Sequence, residues 1–373
     1  MKKIKIFTIS ILTGLIVVAC KTEQKKQKAD TAILEQITAE VKPFASRLEW
    51  TEAKLEDENY SIWGSSPIMG DDGKVHVFSA RWPEYNIDPA WRKSSEVAHY
   101  VADSPEGPFT FSDVAIKGSG VEGTWNRYAP HNPEIQKIGE YYAITFVANS
   151  DYRQPPHPAN QKVGLVYSKS LYGPWKKAGK EGMIIEVSED SNHWTYGSKL
   201  GVDNPCLNEV DGKPIVYFKA RLKEEDGGIK AKYAYATAES IEGPYTMSEP
   251  ITDNDSYLED ATAFTWDDKY YLLTTDNHGT VTGVEGGGIL WASDDWRKFD
   301  VKNIQLAYDL IPSYNKGYDE SKVTKIYSGW PKFERPKILI QNGKPTYFFA
   351  PSGWNIEGGK RSVCYILKIN HDK

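Results

Sequence analysis

The sequence predicts an all-β chain, a five-bladed β-propeller with a short N-terminal helical lead-in. Three observations carry that prediction. A strand–turn–strand unit is written five times, a Gly-Pro-aromatic turn follows most copies, and the period is long enough for four strands each time. The composition agrees: 373 residues, 13% aromatic, with 30 Gly and 21 Pro, suit a large β-domain and exclude disorder.

The elements follow in order. Ser66-Pro67-Ile68 leads through Asp72-Gly73-Lys74 to Val75-His76-Val77-Phe78. Asn132-Pro133-Glu134-Ile135 leads through Gly139-Glu140 to Tyr142-Ala143-Ile144. Asn204-Pro205-Cys206-Leu207 precedes Asp211-Gly212-Lys213, and Asp260-Ala261-Thr262-Ala263 precedes Asp267-Asp268-Lys269. Arg335-Pro336-Lys337-Ile338 precedes Asn342-Gly343-Lys344. Each copy is a strand, a hairpin turn and a second strand. Gly107-Pro108-Phe109, Gly173-Pro174-Trp175 and Gly243-Pro244-Tyr245 mark the turns between outer strands.

The N-terminus reads as an export address. Lys2, Lys3 and Lys5 precede an apolar run that ends Val17-Val18-Ala19-Cys20, similar to the lipobox of bacterial lipoproteins. The expected organisation is a signal peptide over 1–19, lipidated Cys20 with a polar tether to 29, a lead-in helix over 30–50, and the propeller over 51–373. An outer-membrane location, on the periplasmic or cell-surface side, follows from the lipid anchor. Cys206 and Cys364 sit in apolar strands and read as buried thiols, with a disulfide as the alternative. No metal-type spacing and no cofactor motif is present, so no metal or cofactor is expected. The formal charge of −6 argues against nucleic acid as a partner. No protein partner is identifiable.

The five-fold pattern, with Gly-Pro-aromatic turns between copies, resembles glycoside hydrolase family 43 over roughly residues 55–370. The resemblance implies an exo-acting, inverting enzyme that cleaves O-glycosidic bonds of poly- or oligosaccharides at xylosyl or arabinofuranosyl ends. It implies three carboxylates on inner strands: a base in blade 1, a modulator in blade 3 and an acid in blade 4. Asp203 falls at the modulator position and Glu259 at the acid position. Blade 1 departs from the pattern, with Ser66 where the base is expected. Glu334 is the favoured replacement, ahead of Glu134 and Asp260. Strand alternation predicts that Glu259 and its neighbour Asp260 face opposite ways. The departure at Ser66 also supports an alternative, a catalytically impaired carbohydrate-binding lipoprotein.

Substrate contacts are expected from His131, Asn132, Ser66 and Arg335, which carry hydrogen-bonding or charged groups beside the repeat anchors. Trp63 and Trp125 are expected as stacking walls for sugar rings, with Trp82 and Trp330 as further candidates.

Overall fold

A computed structural model describes residues 43–153, 160–223, 229–252, 258–327 and 329–373. The signal segment, Cys20, the tether and most of the lead-in lie outside these residues. Alternating apolar strands joined by tight turns make five antiparallel sheets of four main strands. Blade 1 runs Ser61–Met69, Val75–Trp82, Glu96–Ala102 and Thr110–Ile116. Blade 2 runs Tyr128–Ile138, Tyr141–Asn149, Gln161–Ser168 and Met183–Ile185. Blade 3 runs Val202–Val210, Lys213–Lys223, Ile229–Thr237 and Thr246–Met247. Blade 4 runs Leu258–Trp266, Lys269–Asp276, Gly287–Ser293 and Ile304–Tyr308. Blade 5 takes Lys337–Gln341, Lys344–Ser352 and Val363–Ile369 from the C-terminus.

The fourth strand of blade 5 comes from the other end of the chain. Leu48–Leu55 pairs antiparallel with Val363–Ile369, from Leu48 opposite Ile369 to Leu55 opposite Cys364. This corrects the expected boundary. Only Phe44–Arg47 of the described lead-in is helical, as one 3-10 turn, and the propeller starts at Leu48 rather than at residue 51. The open edge of the last C-terminal strand presents unpaired N–H and C=O groups, and pairing satisfies them.

The turns match their sequences. Asp211-Gly212, Asp267-Asp268 and Asn342-Gly343 take positive φ at both central positions, between 52° and 76°. That is the type I′ geometry whose twist suits a two-residue hairpin. Each blade interface has its own apolar cluster. Phe78 and Val97 meet Ile144 and Phe146 between blades 1 and 2, and Tyr217 and Tyr233 meet Leu272 and Trp291 between blades 3 and 4. Cys206 and Cys364 lie in different interfaces, where both are buried free thiols. With the interfaces apolar, the polar side chains of the innermost strands are left to the central axis.

Candidate active site

Each blade has a residue in the left-handed conformation on or just before its innermost strand, Gly64 (φ 56°), Asn132 (49°), Asn204 (51°), Asp260 (65°) and Arg335 (49°), and blade 2 has a second at Ala129 (44°). In blades 1 to 4 the register with the second strand slips around this point. Asp203 faces Lys219 and Cys206 faces Tyr217, so three steps on one strand match two on the other. This is a β-bulge, repeated around the axis. It interrupts strand alternation, so two consecutive residues of a blade turn to the same cavity. Glu259 and Asp260 both line it, against the expectation that they face apart.

The repeated bulge also sets the true equivalences. Trp63, His131, Asp203, Glu259 and Glu334 each precede the left-handed residue, and all five line a cavity of about 480 Å³. Ser66 therefore does not match Asn204 or Asp260; Gly64 does. A side chain at Gly64 would bring its Cβ to 3.3 Å from the Asn132 backbone. Ser66 lies two residues deeper, buried, where its Oγ accepts the Ile135 N–H at 3.1 Å. It ties blade 1 to blade 2 and does not line the cavity. Pro67 is a misleading anchor in blade 1, because it lies three residues past Gly64, whereas Pro133, Pro205 and Pro336 directly follow the left-handed residue.

The charged wall comes from blades 3, 4 and 5. Glu259 is surrounded by donors: Lys219 Nζ at 2.6 Å and Asn204 Nδ2 at 2.9 Å on Oε2, and Arg221 Nη2 at 2.8 Å on Oε1. Arg335 adds a contact at 3.6 Å and holds Asp260 at 2.8 Å. Burial alone would raise the Glu259 carboxyl. Lys219, Arg221 and Arg335 outweigh it and hold the group well below the usual carboxylate range. A general acid must carry a proton in the working enzyme. These cations favour the unprotonated form of Glu259.

Glu334 is the opposite case. Its described ion pair is with Lys332, at 3.0 Å. Burial and the neighbouring Asp260 charge push its carboxyl up, despite Lys332 and Arg335. Asp203 is 3% exposed, and its Oδ1 accepts no hydrogen bond among the described residues. Lys219 and Arg221 stand off from it, at 3.4 and 3.8 Å. Two carboxyl groups with fewer close donors thus flank one that is surrounded by them.

The other side of the cavity is aromatic. Trp63 packs at 6.2 Å from Trp82 and edge-on at 6.4 Å from Tyr327, and all three line the space. His131 sits edge-on to Trp91 with ring centroids 4.6 Å apart. Trp125 is elsewhere: it stacks on Phe146 and its indole N–H donates to the Glu181 carbonyl at 3.1 Å. Its role is packing within blade 2, not a pocket wall. Trp330 is half exposed and outside the lining. Glu134 is used below the cavity, where Lys337 pairs with it and Thr262 donates to it at 2.9 Å. That buried pair joins blades 2, 4 and 5.

Sequence reasoning missed Lys219, Arg221, Lys332 and Tyr327. The signal for the first two was present: Lys219 and Arg221 interrupt an otherwise apolar strand, Ile215–Ala220 and beyond. A lysine that is fully buried there needs an anionic partner. Among the described residues, no group of three or more His, Cys, Asp and Glu side chains is placed to hold a metal ion.

No protein-family model and no curated protein matches the sequence. Solved structures do resemble it. A family 117 glycoside hydrolase of the marine bacterium Zobellia galactanivorans aligns at 15% identity and a TM-score of 0.61, over 87% of this chain and 91% of that one. A family 43 β-xylosidase/α-arabinofuranosidase from a compost metagenome, solved with xylotriose, aligns at 15% identity and 0.56 over 86% and 94%. An exo-1,5-α-L-arabinanase from a bovine ruminal metagenomic library aligns at 14% and 0.53 over 86% and 97%. The fold is the five-bladed propeller of these glycoside hydrolases. At such identities the likeness concerns the fold, and the chemistry rests on this chain's own residues.

Proposed function

We propose that the protein is a glycoside hydrolase that removes sugar residues from the ends of oligosaccharides with inversion, using Glu334 as general acid and Asp203 as general base. The observation that carries this reading is the contrast among three neighbouring carboxyl groups. Glu259 is saturated by cationic donors, whereas Glu334 is pushed towards its protonated form and Asp203 keeps an unfilled acceptor.

An inverting glycosidase needs that asymmetry. A protonated carboxyl donates its hydrogen to the leaving oxygen, and an ionised one takes a hydrogen from the attacking water. Glu334 and Asp203 come from equivalent positions of blades 5 and 3, and Glu259 fills the position between them. Glu259, with Lys219, Arg221 and Arg335, holds the charged floor rigid while the proton moves elsewhere. Trp63 and Tyr327 offer an apolar face for a sugar ring. The site is a pocket, and a pocket suits a chain end.

Xylosyl or arabinofuranosyl ends are the first substrates to try, given what the related folds act on. Export as a lipoprotein anchored through Cys20 at the outer membrane belongs to the same proposal and rests on the lipobox-like segment. The test is sugar release from a panel of oligosaccharides and aryl glycosides, with product anomers followed by proton NMR. The expected result is release with inverted configuration, abolished in Glu334→Gln and Asp203→Asn. Glycan binding with no release from any substrate would establish the binding-protein alternative instead.

A further inference from the structure

Two residues that line the pocket carry buried acceptors with nothing to accept. His131 Nδ1 lies 2.9 Å from the Ala129 carbonyl oxygen, which can only accept, so the ring hydrogen sits on Nδ1. Nε2 is then a bare lone pair, buried and without a partner among the described residues. Burial also pushes the imidazole down to about 3, despite the Ala129 bond, and Arg335 and Arg92 add to the effect. His131 therefore stays neutral and cannot shuttle a proton at physiological pH.

The orientation of Asn132 is fixed from a distance. Glu259 is an anion and accepts only, so Asn204 must turn its Nδ2 towards it, at 2.9 Å. Asn204 Oδ1 then faces blade 2, and Asn132 gives it Nδ2 at 3.4 Å. That leaves Asn132 Oδ1 as the second buried acceptor without a partner. A chain of amides thus transmits the Glu259 charge into the polarity of the blade 2 wall. His131 and Asn132 are 2% and 5% exposed, and both line the cavity.

Buried acceptors are stable only when a donor fills them. A cation is not the donor here, because Arg335 and Arg92 already place positive charge around His131. Neutral O–H groups fit. We propose that His131 Nε2 and Asn132 Oδ1 are specificity-determining acceptors that each take the hydrogen of one free hydroxyl on the bound sugar. The pocket then rejects sugars whose corresponding positions are deoxygenated, methylated or sulfated. This inference rests on the glycan reading above and adds to it the substitution pattern of the substrate.

The test is calorimetric binding of methyl glycosides of xylose, arabinose and galactose to the full chain. The tightest ligand is then compared with its monodeoxy and mono-O-methyl congeners at every hydroxyl. Two positions are expected at which either change lowers affinity roughly tenfold to a hundredfold. In His131→Phe, which keeps an aromatic ring beside Trp91, one of those two penalties disappears and the other remains. Unchanged discrimination in the variant overturns the assignment of His131, and no sensitive position in the wild type overturns the inference as a whole.

A readout on the wild-type protein covers a variant that does not fold. The ¹⁵N resonance of His131 Nε2 should be that of an unprotonated nitrogen from pH 5 to 8. It should shift when the parent glycoside binds and not with the congener lacking the relevant hydroxyl. A shift that is the same with both overturns the assignment. If no methyl glycoside binds at all, the glycan reading fails and takes this inference with it. Binding without discrimination removes the inference alone.

Discussion

Replacing Glu259 by glutamine separates two roles that look alike in an activity assay. The carboxylate accepts from Lys219 Nζ at 2.6 Å and from Arg221 Nη2 at 2.8 Å. Lys219 is fully buried, and its other described anion, Asp203, is 3.4 Å away. Removing one partner of a buried pair leaves an uncompensated charge and costs about 3–5 kcal/mol. With an unfolding entropy of about 2.1 cal/mol/K per residue, a propeller of this size should lose about 4–7 °C in melting temperature. Calorimetric melting at neutral pH measures this directly.

The pH dependence has a definite sign. The Glu259 carboxyl is held low in the folded state, so its contribution is present above the ordinary carboxylate range and fades as pH falls through the depressed folded value. The gap between wild type and Glu259→Gln is therefore widest near neutrality and narrows in strong acid. Burial holds Lys219 below its usual value, so the gap also narrows in alkali as that ammonium loses its proton. A variant that melts like the wild type while losing all turnover would refute the anchoring role and return Glu259 to that of proton donor.

The other predictions concern the working groups. Glu334→Gln mimics the protonated acid and should abolish turnover of substrates with poor leaving groups, with a smaller loss of melting temperature than Glu259→Gln, since Lys332 loses a partner whose charge burial already disfavours. Asp260→Asn removes a negative neighbour of Glu334 and should lower that carboxyl's pKa, moving the alkaline limb of kcat/KM to lower pH. A limb that stays in place would exclude Glu334 as the titrating acid. Trp63→Ala should raise KM by roughly tenfold through lost ring contact, measured with the best aryl glycoside. Trp125→Ala should leave KM unchanged and lower only the melting temperature, because its ring packs on Phe146.

The repeat was legible without a structure, because turns and strand periods are local. Asp211-Gly212 and Asn342-Gly343 announce hairpins through backbone conformations that few residues adopt, and five such units in one chain have few ways to close. The candidates Glu334, His131, Asn132, Arg335 and Trp63 stand beside those units, the family resemblance points to Asp203 and Glu259, and all seven line one cavity.

Three things required the tertiary structure. The bulge beside Asn204 and Asp260 breaks alternation by one residue, and only pairing with the second strand reveals where the extra residue sits. Ser66 was consequently counted into the site and Asp260 turned away from it. The blade 5 edge drew Leu48–Leu55 into a strand, since its unpaired backbone groups lie more than 300 residues away in sequence. The protonation states depend on charges from other strands: Lys219 and Arg221 on Glu259, Asp260 on Glu334. A sequence names the residue types that do acid–base chemistry. Which carboxyl keeps its proton is set by distances between blades, because Coulomb interactions act through space and not along the chain.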